Sequence, residues 1–194
     1  MTRLPGLDRL RGLAVALMVL DHAALVFGPR AGVGFVLGRL TVTRGSLPIF
    51  CLVAGALLPT TWAPRRRLLL VALAGVAAGF LSAPMGFPAP DILLLLAAAS
   101  LAGGAIVRWP LGAIVLALVQ LSAWPLAGRF GWAGYEPGLI VGLMGAGVIA
   151  GRHRLHELGD SLPAFLEVVG RRPLAWYLGH LTVLLGLVVL STQF

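Results

Sequence analysis

Runs of apolar residues that approach the thickness of a lipid bilayer recur along the whole chain. A helix needs about 20 residues to cross ~30 Å of hydrocarbon. In lipid, only helices and closed barrels satisfy their own backbone hydrogen bonds. The sequence therefore predicts an all-α, polytopic helical membrane protein with about seven transmembrane helices. The apolar runs fall at about 9–28, 43–59, 67–83, 91–107, 110–127, 137–151 and 173–191.

Composition supports a membrane protein. The chain has 194 residues, of which 59% are hydrophobic and 11% charged, whereas soluble domains carry about a quarter charged residues. We predict a single helical transmembrane domain over residues 1–194, integral to the cell (inner or plasma) membrane and in contact with its lipids. The basic-then-apolar start resembles a secretory signal but lacks a small-residue cleavage site, so it is interpreted as a retained first span. Cys51 lies in an apolar run, which favours a buried packing role.

The arginines predict the orientation. All fifteen basic residues are arginines, and the net charge is +8. With an odd number of spans and a cytoplasmic N-terminus, eleven of them lie on the cytoplasmic side and four outside, which favours N-in and C-out. Because most flank apolar segments and can meet anionic headgroups, no nucleic-acid partner is predicted. The four outer arginines are Arg30, Arg39, Arg44 and Arg129.

Three local patterns bear on packing. Ser161 can cap a short amphipathic helix that Gly170 ends, which predicts an interfacial helix on the cytoplasmic surface before the last span, with Leu162, Phe165, Leu166 and Val169 on one face. The second run contains Pro48 and Gly55, so it is expected to be kinked, tilted or partly re-entrant. Small-xxx-small pairs predict close helix contacts at Gly75 with Gly79, Gly138 with Gly142 and Gly147 with Gly151.

The first run, "LDRLRGLAVALMVLDHAALVFG" at 7–28, is unusually polar for a span. Arg11 and His22 are eleven positions apart, so on a helix they share one face, with ~16 Å between them along the axis. Asp21 is turned ~100° from His22. Ionisable groups in a span are costly and normally face other helices or a cavity. The stripe therefore predicts a functional site, with His22 placed about three-quarters of the way towards the outer surface.

Further polar residues are candidates for the same site. Arg44 begins the second span on the outer side and Arg39 precedes it. A carboxylate such as Asp21 near these cations can stay ionised and raise histidine basicity. His180 lies seven residues past the cytoplasmic Pro173, roughly 10 Å into the layer, with Tyr177 one turn earlier.

The candidate chemistry is proton transfer by His22. A neutral imidazole titrates near working pH and can take the proton of an attacking hydroxyl or amine. The alternative is a histidine that is merely buried between helices and satisfied by a serine or a carbonyl. The sequence "HRLHELG" lacks zinc-protease spacing, so no metal is predicted. Other classes stay open: a small proton-coupled transporter using Arg11, Asp21, His22 and His180, or a non-catalytic membrane subunit.

The first span also resembles a known superfamily. Arg11, ten residues and His22 within "LDRLRGLAVALMVLDH" are similar to the first span of the transmembrane acyltransferases, which include acyltransferase 3, TraX-like and heparan-glucosaminide N-acetyltransferase-like proteins. "MVLDH" followed by "LGRLTVTRGSLPIFCLVAGALL" is most similar to the TraX-like branch, and "GRRPLAWYLGHL" resembles the closing span of several branches. The resemblance covers about the first sixty and the last twenty-five residues. The chain's length departs from acyltransferase 3 proteins, which usually have about ten spans.

The resemblance implies transfer of an acyl group, usually acetyl, from cytoplasmic acyl-CoA to an acceptor on the far side. It implies His22 as the catalytic base and Arg11 in the acyl-CoA channel. The residues themselves make Asp21 a further catalytic candidate and Arg39, His180 and Tyr177 candidates for substrate binding. Arg44 or the N-terminus of a span would stabilise the oxyanion. The acceptor would be a glycan, lipid or pilin-type molecule. Cytoplasmic arginines could hold the phosphates of coenzyme A by charge-assisted hydrogen bonds: Arg65, Arg66, Arg67, Arg171 and Arg172.

Overall fold

The computed structural model describes residues 4–27, 45–59, 65–85, 92–127 and 137–191. These residues form ten α-helices and one short 3₁₀ helix, with no strand among them, so the all-α prediction is confirmed for this part of the chain. The helices are α1 (Pro5–Phe27), α2 (Ser46–Leu57), α3 (Arg65–Ser82), α4 (Ile92–Leu101), α5 (Gly103–Arg108), α6 (Pro110–Ala127), α7 (Pro137–Arg152), α8 (Leu155–Asp160), α9 (Phe165–Arg171) and α10 (Pro173–Ser191), and the 3₁₀ helix is Ala83–Met85.

Proline starts four of the long helices. Pro5, Pro110, Pro137 and Pro173 are the first residues of α1, α6, α7 and α10. Proline suits this position because its fixed φ is helical and its missing N–H would have no partner there. The predicted run 91–107 differs from the structure, where it is broken between α4 and α5. Two consecutive glycines follow the break, and glycine is a weak helix former.

One described helix is long and apolar enough, by length and composition, to cross a membrane. It is α10, over Pro173–Leu190. Four further apolar helical stretches are shorter, and one helix of this kind is weak evidence for a membrane protein. Seven spans are therefore not shown by the described residues. The shorter stretches are Ser46–Leu57, Leu68–Ser82, Pro110–Ser122 and Pro137–Arg152.

The chain divides into two compact units. The first contains Met1–Phe50, Phe80–Phe87 and His156–Phe194, and the second contains Cys51–Gly79 and Pro88–Leu155. The prediction of a single domain over residues 1–194 stays a prediction.

Glycines of α7 form the packing surface of the second unit. A methyl group added at Gly147 would overlap the Leu52 backbone of α2, and one at Gly142 would overlap Ala117 of α6. Small residues allow such close helix approach. The predicted close contacts are confirmed for five of the six paired glycines, whereas a methyl group added at Gly79 would meet no atom of the described residues within 4 Å. Cys51 is fully buried here and unpaired, as its place in an apolar run predicts.

In the first unit, α9 packs along the start of α1. Leu166 lies against Gly12, and Gly170 lies against Asp8, so the two helices run in opposite directions where they touch. A methyl group at Gly12 would overlap the Leu166 backbone, and one at Gly170 would overlap the Asp8 carbonyl. Only glycine permits backbones to approach this closely. The first turns of α1 are therefore covered by protein.

A short helix, α9, precedes α10 as predicted, but its cap, its buried face and its last residue differ from the prediction, and its interfacial location stays a prediction. Ser161 does not cap it, because its Oγ donates to the Leu158 carbonyl at 2.8 Å. Phe165, predicted on the apolar face, is 67% exposed, whereas Leu166 is buried. Gly170 lies within α9 and does not end it. The reason is the glycine contact with α1, which turns Leu166 inward and Phe165 away.

Arg9 joins α1 to the end of α8. Its Nη1 donates to the carbonyls of Asp160 at 2.9 Å and Leu162 at 3.3 Å, and its Nε lies 3.8 Å from Glu167 Oε2. The last carbonyls of a helix have no partner inside it. We expect Arg9→Leu to lower the free energy of unfolding by about 1–3 kcal/mol, because hydrogen bonds to a charged group are lost. Chemical or thermal unfolding of the purified protein in detergent measures this.

Arg171→Leu is the matched control. Arg171 pairs with Glu167 one turn earlier on the same helix, and its side chain is 52% exposed, compared with 21% for Arg9. Exposed pairs of this spacing contribute about 0.5 kcal/mol or less. Equal losses in the two variants would mean that the carbonyl contacts of Arg9 add nothing beyond a surface ion pair.

Candidate active site

Two histidines distant in sequence meet in the first unit. His22 Nδ1 on α1 and His180 Nε2 on α10 are 2.8 Å apart, although 158 residues separate them. The rings are 17° from parallel, with centroids 5.1 Å apart. Because the centroids are much farther apart than the bonded nitrogens, the rings meet edge to edge in nearly one plane and are not stacked face to face. In this arrangement a ring N–H points at the lone pair of the other ring.

Tyr177 packs against both imidazoles. Its side chain is buried, with 3% exposed. The ring lies nearly perpendicular to His22, with centroids 6.3 Å apart, and to His180, with centroids 5.5 Å apart. Perpendicular contacts of this kind are favourable between rings. Tyr177 therefore supports the common plane of the two histidines, and its predicted role in substrate binding stays a prediction.

The contact corrects the depths predicted for the two histidines. His22 is predicted near the outer surface, whereas His180 is predicted roughly 10 Å past a cytoplasmic Pro173. Rings joined by a hydrogen bond lie at one level, so these depths are incompatible. The reason is α9, which occupies the side of the first turns of α1. The start of α10 is thereby displaced along α1, and His180 reaches His22.

The same contacts give the relative direction of α1 and α10. Gly170 lies at the level of Asp8, and His180 lies at the level of His22. The chain therefore advances in the same direction from Asp8 to His22 as it does from Gly170 to His180. The chain turns after α9, and α10 runs in the same direction as α1.

Arg11 forms an ion pair that the sequence analysis missed. Its Nη1 donates to Asp8 Oδ1 at 3.0 Å, and Asp8 is only 3% exposed. A buried carboxylate requires such a partner. The signal in the sequence is the i, i+3 spacing of opposite charges on a helix. Arg11 lies three turns of α1 from His22, so the structure does not bring it into the histidine cluster.

The remaining predicted residues fall into three groups. Asp21 is half-buried and precedes His22 directly on α1. Arg39 and Arg44 lie outside the described residues, and so does the side chain of Arg67. Arg66 is exposed on α3, and Arg171 and Arg172 are exposed at the end of α9. The structure therefore brings together His22, His180 and Tyr177 from the predicted set.

Metal binding finds no support among the described residues. They contain no group of three or more histidine, cysteine, aspartate or glutamate residues that could hold a metal ion. The expectation that no metal takes part stays a prediction.

The chain matches no protein-family model, no curated protein and no solved structure. The joined imidazoles offer a group that can accept a proton and a second group that can orient it.

Proposed function

We propose that this chain is a membrane-embedded acyltransferase that moves an acyl group, usually acetyl, from cytoplasmic acyl-CoA to a hydroxyl or amine at the outer face of the cell membrane. The observation that carries the proposal is the hydrogen bond between His22 and His180. An imidazole can act as a general base near neutral pH, and a second imidazole that fixes its orientation favours a catalytic role over simple packing.

Exposed apolar side chains support the proposed membrane location. On α3, α6 and α10, large apolar residues cover the surface, an arrangement that water-facing surfaces of monomers rarely show over such lengths. In a bilayer these side chains would contact lipid acyl chains. They include Leu69, Leu70, Leu73, Val76 and Phe80 on α3, Leu111, Val115, Leu116, Leu118 and Val119 on α6, and Val183, Leu187, Val189 and Leu190 on α10.

The proposed topology has seven spans, with the N-terminus inside and the C-terminus outside. The parallel direction of α1 and α10 supports it, because the first and last of an odd number of spans run the same way. In this topology α4 and α5 together form one broken span. The 12 residues of α2 are proposed as the helical part of the second span, since about 20 residues are needed to cross.

The proposed reaction is a direct transfer. The acceptor oxygen or nitrogen attacks the thioester carbonyl while its proton passes to His22. The carbon–sulfur bond then breaks, and the coenzyme A thiolate takes the proton back from His22. The products are the acylated acceptor and free coenzyme A, with His22 returned to its neutral form. The attack places a negative charge on the thioester oxygen. Arg44 is proposed to stabilise this oxyanion, because preorganised hydrogen-bond donors and positive charges lower the energy of such an oxygen.

Arginines are proposed to hold the donor. The exposed Arg66, Arg171 and Arg172 have the chemistry to bind the phosphates of coenzyme A, and Arg67 is proposed with them. Arg11 is proposed at the cytoplasmic end of the donor's path, with its charge balanced by Asp8. The acceptor is proposed to be a glycan, a lipid or a pilin-type protein.

A proton-coupled transporter is the second candidate. Two hydrogen-bonded histidines, with Asp21 next to His22 in the sequence, can also relay a proton. In that case the apolar helices would enclose a substrate path, and acyl-CoA would play no part. A non-catalytic membrane subunit would need neither role.

Labelled acetyl-CoA separates these candidates. The purified protein in lipid nanodiscs is given acetyl-CoA labelled in the acetyl group, with lipid and glycan fractions as acceptors. We expect release of coenzyme A thiol and labelled acceptor, both dependent on His22. Absence of both, together with uptake driven by a pH gradient in proteoliposomes, would instead identify a transporter.

A further inference from the structure

The hydrogen bonds around His180 define which of its nitrogens carries a proton. His180 Nδ1 lies 3.1 Å from the Trp176 carbonyl oxygen, one turn earlier on α10. A carbonyl oxygen only accepts hydrogen bonds, so Nδ1 must be the donor. A neutral imidazole carries one N–H. His180 Nε2 therefore presents a lone pair.

The same reasoning extends to His22. Its Nδ1 is 2.8 Å from His180 Nε2. Because His180 Nε2 holds the lone pair, His22 Nδ1 must carry the proton and donate it. In neutral His22 the other nitrogen, Nε2, is then unprotonated. A chain of donors thus runs from His22 through His180 to the backbone of α10.

We propose that His180 is a positioning residue that holds His22 in the tautomer whose Nε2 takes up protons. The catalytic assignment of that nitrogen rests on the proposed function, in which His22 is the base. His180 itself does not touch the reacting atoms. It accepts a hydrogen bond from His22, and this bond strengthens when His22 Nε2 gains the acceptor's proton and the ring becomes positive.

Ring geometry supports this assignment. The two imidazoles lie within 17° of one plane, which is the geometry of an in-plane N–H to lone-pair bond. Tyr177 packs perpendicular to both rings and limits their rotation. At metal sites, losing the group that fixes the tautomer and orientation of a ligand histidine typically costs about 10- to 100-fold, and a loss of the same order is expected for His22.

Nitrogen NMR tests the tautomer without reference to activity. The chain has 4 histidines, so protein labelled with ¹⁵N-histidine in nanodiscs gives few signals, and those lost in His22→Gln identify His22. We expect a protonated Nδ1 and an unprotonated Nε2 in the wild type, and a mixture of tautomers for His22 in His180→Leu. A proton on Nε2 of wild-type His22, or an unchanged tautomer in His180→Leu, would overturn the proposal.

Activity provides the second readout. His180→Leu is expected to lower kcat for acyl transfer by about 10- to 100-fold with KM for acyl-CoA unchanged. His180→Gln should restore most of it, because the side-chain oxygen of Gln can accept the hydrogen bond from His22 but cannot be protonated at neutral pH. If His180→Gln folds and is as inactive as His180→Leu, positioning by an acceptor is refuted. If the wild type transfers no acyl group, the proposed function fails, and the nitrogen spectra still decide the tautomer.

Discussion

Replacement of His22 with Gln is expected to lower kcat for acyl transfer by about 10²- to 10⁴-fold, the usual contribution of a positioned general base. Gln preserves polarity and approximate size but cannot take a proton from the acceptor. Binding of acyl-CoA should persist, since His22 is proposed to act on the attacking group and not on the coenzyme A phosphates. The measurement is steady-state release of coenzyme A thiol by the protein in nanodiscs.

His153→Gln is the matched control for this experiment. His153 is exposed in the turn after α7 and takes no part in the proposed reaction, so its replacement should leave kcat unchanged. Thermal unfolding of each variant separates loss of catalysis from loss of folding. His22→Asn provides a second non-basic side chain in case Gln disturbs the packing around Tyr177. Wild-type rates in a folded His22 variant would remove His22 from the mechanism.

Gly12→Ala is expected to destabilise the protein by about 1–3 kcal/mol, the typical cost of overpacking. The added methyl group would overlap the Leu166 backbone, and a backbone moves away less easily than a flexible side chain. Separation of α9 from α1 would also shift α10 and lengthen the contact between His180 and His22. The free energy of unfolding, measured in detergent, and the rate of acyl transfer should therefore both fall in this variant.

Gly186→Ala should have the opposite effect on stability. Gly186 lies in α10, and a methyl group added there would have none of the described atoms within 4 Å. Alanine is a better helix former than glycine by about 1 kcal/mol, so this variant should be slightly more stable than the wild type. A Gly12→Ala variant that is also stabilised would show that α1 and α9 do not approach each other as closely as described.

Helix positions could be predicted from the sequence because they depend on local patterns. Apolar runs bounded by proline give the starts of α6, α7 and α10 within a residue. The break near Ala102 was missed, since two weak helix formers in an apolar run do not always interrupt a helix. Whether a helix crosses a membrane does not follow from its first and last residues, because crossing also depends on what surrounds the helix.

The site could be predicted only in part. Polarity within an apolar run identified His22 and His180 separately, because an ionisable group in such a run needs a partner. Their mutual contact could not be predicted, since it depends on α9 lying beside α1 and shifting the start of α10. The role of Asp8 could not be predicted because it lies at the polar start of α1, where charged residues are common.

The pairing of α1 with α8, α9 and α10 affects the order of assembly during synthesis. His22 is made 158 residues before its partner, which at ~5–20 residues per second corresponds to a delay of about 8–32 s. Throughout that interval the charged groups at the start of α1 and the imidazole on its polar face are without the segment that later surrounds them. The first unit can therefore close only after residues 156–191 have left the ribosome, long after its first helix has emerged.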